Sequence, residues 1–90
     1  MIEIVWTHYL QYRAQLRGFD LALLESIIRY SDERYTDTVT GRVIVVGKHK
    51  TQLVLIAFEE TGENEITPVR VHATTRQQVN YRLKSERFQK

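Results

Sequence analysis

Residues 67–87 join a strand pattern to a helix pattern, and they read TPVRVHATTRQQVNYRLKSER. The apolar side chains of residues 67–73 alternate, which predicts a β-strand, and residues 76–87 predict a helix. Thr75 and Gln78 fit a capping box, in which a hydroxyl and a side-chain amide each bond a free backbone group at the helix start. We therefore expect His72 at a strand end, beside a helix N-terminus that favours an anion.

The chain before this stretch begins with one short strand pattern and two helix patterns. Residues 2–6 predict a strand, and residues 8–17 predict a helix with Thr7 as N-cap and Gly18 as the first residue after it. Asp20 is the expected N-cap of a second helix over residues 21–30, whose broad apolar face indicates a core helix. The short link between the two helices predicts a helical hairpin.

Residues 34–73 predict four strands, over residues 34–37, 42–48, 52–59 and 66–73. Their short connections favour an antiparallel meander, and the third strand is apolar on both faces, as expected at the centre of a sheet. Pro68 cannot donate to a ladder, so the last strand should lie near an edge or contain a bulge. There, Val69 and Val71 should pack on the helices, with Arg70 and His72 on the opposite face. His49 is expected in an exposed turn.

These patterns predict a single α+β domain over residues 1–90. Its predicted order is β-α-α-β-β-β-β-α, with the helical hairpin and the C-terminal helix packed on a small antiparallel sheet. The chain has no cysteine and no apolar run of the roughly 20 residues that cross a bilayer. We therefore expect a cytoplasmic protein without disulfides, thiolate sites or a membrane segment.

Charge is distributed unevenly along the chain. Residues 70–90 carry six Lys or Arg against one Glu, whereas residues 1–69 carry seven Lys or Arg against ten Asp or Glu. This asymmetry favours a polyanion or an acidic protein as the partner of the C-terminal end. The alternative is a solvated helix face without a binding role.

The residue types present favour metal-free chemistry on a phosphate. His8, His49 and His72 lie in three separate predicted elements without metal-ligand spacing, and no glycine-rich nucleotide loop occurs. We predict no metal and no cofactor. Cleavage of RNA without a metal requires a base, an acid and cations at the phosphate, and arginine suits the last role because it donates two hydrogen bonds.

Two groups of residues can supply these parts. The first group offers His72 for proton transfer with Arg70, Arg76 and Tyr81, and the second combines His8 with Arg13 and Arg17 on the first helix. A basic stripe on the last helix would steer or bind the substrate. Each residue also has a structural alternative, such as an ion pair with a carboxylate or simple exposure to solvent. The predicted substrate-binding residues are Arg17, Arg82, Lys84 and Arg87.

Two short patterns resemble a known group of proteins. One is the opening His8-(x)4-Arg13-(x)3-Arg17-Gly18-Phe19, and the other is a helical hairpin before a meander that carries Thr-Gly-Arg at residues 40–42 and Val-x-Val-x-x-Thr at residues 69–74. The chain resembles the RelE/BrnT-like superfamily of small toxins from bacterial toxin–antitoxin pairs. The first pattern is similar to the His…Arg…Arg-Gly opening of a family of uncharacterised domains allied to these toxins.

The resemblance implies a metal-independent endoribonuclease toxin that cleaves messenger RNA, in many members on the ribosome. It also implies a cognate antitoxin that silences the toxin. Only His8, Arg13 and Arg17 match positions of the family pattern, and the helix after the last strand departs from the RelE type. The alternative is a non-catalytic domain that binds RNA or protein through its basic C-terminal helix.

Overall fold

Three helices and a six-stranded mixed sheet make up the computed structural model, which describes residues 1–90. The helices are α1 (His8–Leu16), α2 (Leu21–Tyr30) and α3 (Arg76–Lys84). The strands are β1 (Glu3–Ile4), β2 (Arg34–Asp37), β3 (Val43–His49), β4 (Gln52–Gly62), β5 (Glu65–Ala73) and β6 (Phe88–Gln89). None of the helices is long and apolar enough to cross a lipid bilayer. The predicted α+β class is confirmed, and so is the predicted order of elements as far as α3.

The strands lie in the order β1-β5-β4-β3-β2-β6. The four strands of the predicted meander pair with their sequence neighbours in antiparallel fashion, with β4 at the centre. The expectation of a wholly antiparallel sheet was wrong at one edge, because β1 pairs with β5 in parallel. Between β1 and β5 the chain passes through both hairpin helices and the meander, so the relative direction of these two strands depends on the whole topology.

The C-terminal end also differs from the prediction. The helix predicted over residues 76–87 ends at Lys84, and Phe88 belongs to β6, which pairs with Thr36 and Asp37 of β2. Glu86 adopts a left-handed backbone conformation with φ of 64°, which turns the chain out of the helix. Burial of Phe88 beside Tyr35 stabilises this strand, and local helix propensity does not report such a contact.

Two hydrophobic cores lie on opposite faces of the sheet. The hairpin of α1 and α2 covers one core with residues such as Leu24, Val45 and Ile56, whereas α3 covers the other with Val79 over Val46 and Leu55. Alternate residues of β3 and β4 therefore serve different cores, as the pattern of a central strand predicted.

A β-bulge in β5 changes which side chains face each core. Pro68 pairs with Phe58 and Arg70 pairs with Ala57, so Val69 is an extra residue between the two pairs. This bulge confirms the prediction that Pro68 places the last strand near an edge or a bulge. Val71 packs in the hairpin core and Val69 packs against the α3-side core, so the expectation that both side chains face the same side of the sheet was wrong.

The predicted N-caps are confirmed, but the reciprocal half of the capping box does not form, because Oε1 of Gln78 accepts a hydrogen bond from the hydroxyl of Thr74 instead. Thr75 Oγ1 accepts a hydrogen bond from the backbone N–H of Gln78, and Asp20 caps α2 in the same way through Ala22. The N–H of Asp20 itself donates to Nε2 of His49 at 2.8 Å. His49 is only 5% exposed, so its predicted place on the surface was wrong.

Candidate nucleic-acid interface

Two segments without acidic residues meet along β5 and continue onto one helix on each face of the sheet. Residues 4–19 and residues 66–85 contain no Asp or Glu. The first segment includes α1 and the second includes most of β5 and all of α3, and α1 packs against β5. We call the surface that they form the acid-free surface. Its cationic side chains are Arg13, Arg17, Arg70, Arg76, Arg82 and Lys84.

The second half of β5 is an open sheet edge on this surface. β1 pairs only with Glu65 and Ile66, so no strand covers the outer side of β5 beyond them. A side chain binds one backbone group of this open edge, because Nη1 of Arg17 donates a hydrogen bond of 3.1 Å to the carbonyl oxygen of Val71. Arg17 thus binds α1 to the open edge, as well as contributing positive charge.

A groove of about 360 Å³ follows this edge, and we call it the edge groove. Side chains of α1 and of β5 line it together, because no neighbouring strand covers this edge of β5. Arg70 and His72 of the first predicted group therefore meet Arg13 and Arg17 of the second. The other members of the two groups lie outside this groove, namely Arg76, Tyr81 and His8. The polar and aromatic residues that line the edge groove are Tyr9, Arg13, Arg17, Arg70 and His72.

A wider groove of about 770 Å³ lies between α3 and the sheet, and we call it the helix groove. Its floor includes Leu55 and Phe88, and its wall carries Tyr81 and Arg82 from α3. His72 lines this groove as well as the edge groove. His72 therefore stands at the point where the two grooves meet. Its position near the end of β5 and shortly before α3 is the one that the sequence predicted.

A small concavity of about 130 Å³ lies beside His72, and we call it the arginine concavity. Arg42 and Arg87 line it but are bound to carboxylates, Arg42 to Glu59 at 2.9 Å and Arg87 to Asp37 at 2.8 Å. Two other arginines line it without a carboxylate partner. They are Arg70 and Arg82.

The two arginines without a carboxylate differ in their surroundings. Arg70 is exposed, whereas the guanidinium of Arg82 lies 5.6 Å from the centroid of the Phe88 ring, which restricts its orientation. Beside them, Nδ1 of His72 lies 3.1 Å from the carbonyl oxygen of Ala73. A hydrogen on Nδ1 leaves the lone pair of Nε2 free, which is the state that a general base requires.

The structure gives Arg76 a different partner from the predicted phosphate. Its guanidinium binds Glu33 through two hydrogen bonds of 2.6 and 2.9 Å, and the hydroxyl of Tyr35 donates to the same carboxylate at 2.7 Å. The Arg76 guanidinium lowers the pKa of Glu33 and has its own pKa raised by it, while burial and then Glu33 raise the pKa of Tyr35 to about 12. Arg76 therefore fastens α3 to the start of β2.

Arg87 has an equivalent structural role at the other end of α3. It binds Asp37 through two hydrogen bonds, and these lower the pKa of Asp37 to about 2. Among the other predicted site residues, Tyr81 is exposed in the helix groove, whereas His8 and Lys84 are exposed but line none of the three cavities. The arginines of the predicted site that share a cavity with His72 and bind no carboxylate are therefore Arg13, Arg17, Arg70 and Arg82.

Two residues near His72 were absent from the predicted site. Tyr9 comes from α1, and Arg42 follows the turn at Gly41, whose φ is 75°. Exposed aromatic side chains can stack on unpaired bases, but nothing local to Tyr9 in the sequence connects it with His72. Only the packing of α1 along β5 brings the two residues to one groove.

No three His, Cys, Asp or Glu side chains lie together in a group that could hold a metal ion. The residues around His72 are mostly cationic or apolar, which suits an anion better than a cation. No protein-family model matches the chain, and neither a curated protein nor a solved structure shows significant similarity to it. The resemblance to RelE/BrnT-like toxins therefore stays a prediction.

Proposed function

We propose that this protein binds RNA on the acid-free surface and cleaves it without a metal at the arginine concavity. The observation that carries the proposal is the position of His72, which lies where both grooves meet and beside two arginines without carboxylate partners. A phosphate seated there would meet Arg70 and Arg82, and the adjoining nucleotides would extend into the grooves.

In this proposal His72 is the general base of a transesterification. Its Nε2 takes the proton of the ribose 2′-hydroxyl, the 2′-oxygen forms a bond to the adjacent phosphorus, and the bond from phosphorus to the 5′-oxygen breaks. Arg70 and Arg82 donate hydrogen bonds to the non-bridging oxygens as negative charge builds up in the transition state. Tyr81, which lines the helix groove with His72, is the candidate for the acid that protonates the leaving oxygen.

Binding without cleavage is the alternative function, and one observation favours it. Acid–base cleavage requires two groups that transfer protons, and the arginine concavity itself offers only His72. Its one carboxylate, Asp37, is already bound by Arg87, and Tyr81 lies outside it in the helix groove. A domain that only binds RNA or an acidic protein, such as the antitoxin that the resemblance predicts, would need the cations alone.

Cleavage of a labelled single-stranded RNA by the purified protein, in the presence of EDTA, tests the proposal. His72→Ala should slow cleavage by about 10²- to 10⁴-fold, the usual contribution of a general base. RNA binding and the urea midpoint should stay close to wild type, because the only hydrogen bond of the imidazole goes to the adjacent carbonyl of Ala73. His8→Ala is the matched control, since His8 is exposed and outside the cavities.

The same assay separates the two functions. Wild-type cleavage at rates that His72→Ala does not change would exclude His72 as the base. Tight RNA binding without any cleavage would support the binding domain, and Arg70→Ala should then reduce the slope of log affinity against log salt by about 0.7, the value for one phosphate contact on a single strand. A wild-type protein that binds no RNA would refute both.

A further inference from the structure

Each of the two grooves that meet at His72 contains one exposed tyrosine. Tyr9 of α1 lines the edge groove and is 68% exposed, and Tyr81 of α3 lines the helix groove and is 71% exposed. Tyr9 and Tyr81 come from helices on opposite faces of the sheet. They reach grooves that share His72 because β5 is an open edge there.

The hydroxyls of these two tyrosines make no hydrogen bond within the protein, so the fold leaves both the rings and the hydroxyls free for a ligand. Tyr35 illustrates the contrast, because it is buried and its hydroxyl donates to Glu33. The guanidinium of Arg13 lies 6.0 Å from the centroid of the Tyr9 ring. A ring with a cation beside it, in a groove without acidic residues, suits a base whose phosphate binds that cation.

We propose that Tyr9 and Tyr81 are base-stacking subsites on the two sides of the phosphate at His72. This inference rests on the proposed function, and it defines the ligand as single-stranded RNA with an unpaired nucleotide on each side of that phosphate. Unpaired bases present their faces to an aromatic side chain, whereas bases in a duplex are already stacked on one another. The exposed rings therefore select a single strand over a duplex.

Binding to a short 2′-O-methyl oligonucleotide tests the inference, because this probe lacks the attacking hydroxyl and stays intact. Fluorescence anisotropy would compare the single strand with its duplex. Tyr9→Ala and Tyr81→Ala should each weaken binding of the single strand at least about five-fold, since stacking of one base contributes on the order of 1–3 kcal/mol. Neither substitution should change binding of the duplex.

Three controls separate stacking from other effects. Tyr9→Phe and Tyr81→Phe should keep wild-type affinity, because the ring and not the hydroxyl stacks on the base. Tyr30→Ala should change nothing, because Tyr30 is equally exposed but lines a different pocket, near Met1 and Ile2. Equal urea midpoints for all variants would show that the protein stays folded.

The possible outcomes are distinct for the two proposals. If Tyr9→Ala and Tyr81→Ala bind the single strand as tightly as Tyr30→Ala does, or if the wild type binds the duplex equally well, the stacking subsites are refuted. If Arg70→Ala still weakens binding in that case, RNA binding at the acid-free surface stands without them. If the wild type binds neither probe, both proposals are wrong.

Discussion

Substitution of Asp37 by Asn should weaken the attachment of the C-terminal segment to β2. Asp37 is 4% exposed, and its Oδ1 accepts hydrogen bonds from the N–H groups of Val39 and Thr40, at 2.8 and 3.1 Å. Arg87 donates two more, from Nε to Oδ1 at 2.8 Å and from Nη2 to Oδ2 at 3.0 Å. Asparagine can keep the turn bonds, but its amide nitrogen has no lone pair for Arg87.

The pKa of Asp37 sets the size of this effect. Hydrogen bonds from Arg87 are the largest cause that lowers this pKa from 3.8 to about 2, against the opposing effect of burial. At 1.36 kcal/mol per pKa unit, the lowered pKa corresponds to about 2 kcal/mol of folding free energy at most. The side chain of Arg87 is 36% exposed, so solvent screening reduces the expected value to about 1 kcal/mol.

The dependence on pH follows from the direction of the shift. Because the folded protein holds Asp37 ionised more strongly than the unfolded chain does, this contribution is complete at pH values well above 3.8 and is lost as the pH falls toward 2. Urea denaturation of the wild type and Asp37→Asn from pH 7 to pH 2 should therefore give two curves that converge at the acidic end.

Glu63→Gln is the matched control, because Glu63 is an exposed carboxylate without a hydrogen bond or an ion pair. It should follow the wild-type curve at every pH. The reasoning fails if Asp37→Asn loses as much stability between pH 4 and pH 2 as the wild type does. In that case the ion pair with Arg87 contributes nothing measurable to folding.

Two further predictions concern the close packing of α2 and the cluster at the start of β2. Gly47→Ala should destabilise the fold by about 1–3 kcal/mol in urea, because its Cβ would lie 2.7 Å from Cγ2 of the buried Ile27. Gly62→Ala is the control and should be tolerated, because its Cβ would meet nothing closer than 3.4 Å. Equal urea midpoints for the two variants would contradict the prediction. Glu33→Gln should lower the pKa of Tyr35 from about 12, because the carboxylate charge that adds to burial is removed. Ultraviolet titration of the tyrosinate measures it, and an unchanged pKa would mean that burial alone raises it.

Local patterns predicted the elements whose causes lie within a few residues. The caps at Thr7, Asp20 and Thr75 and the left-handed Gly18 bound the helices as expected, since each contact that defines them lies within one helical turn. The apolar character of residues 52–59 predicted the central strand because it is a property of that segment alone. Pro68 indicated the bulge because its missing N–H is a property of the residue itself.

Errors occurred where a distant segment decided the outcome. β6 forms because Phe88 is buried near Tyr35, and His49 is buried because it accepts a hydrogen bond from Asp20. Helix propensity and turn composition describe neighbours in sequence, so neither could report these partners. The sequence left a phosphate or a carboxylate as the partner of Arg76, and only the fold shows that this partner is Glu33.

The sequence by itself determined the α+β class, the order of elements as far as α3, the basic C-terminal end and the position of His72 between a strand and a helix. The tertiary structure decided which cations remain without carboxylate partners and which residues share a groove. The physical reason is that charge and periodicity are properties of segments, whereas the meeting of Tyr9, Arg70 and His72 depends on an open strand edge that only the packed sheet creates.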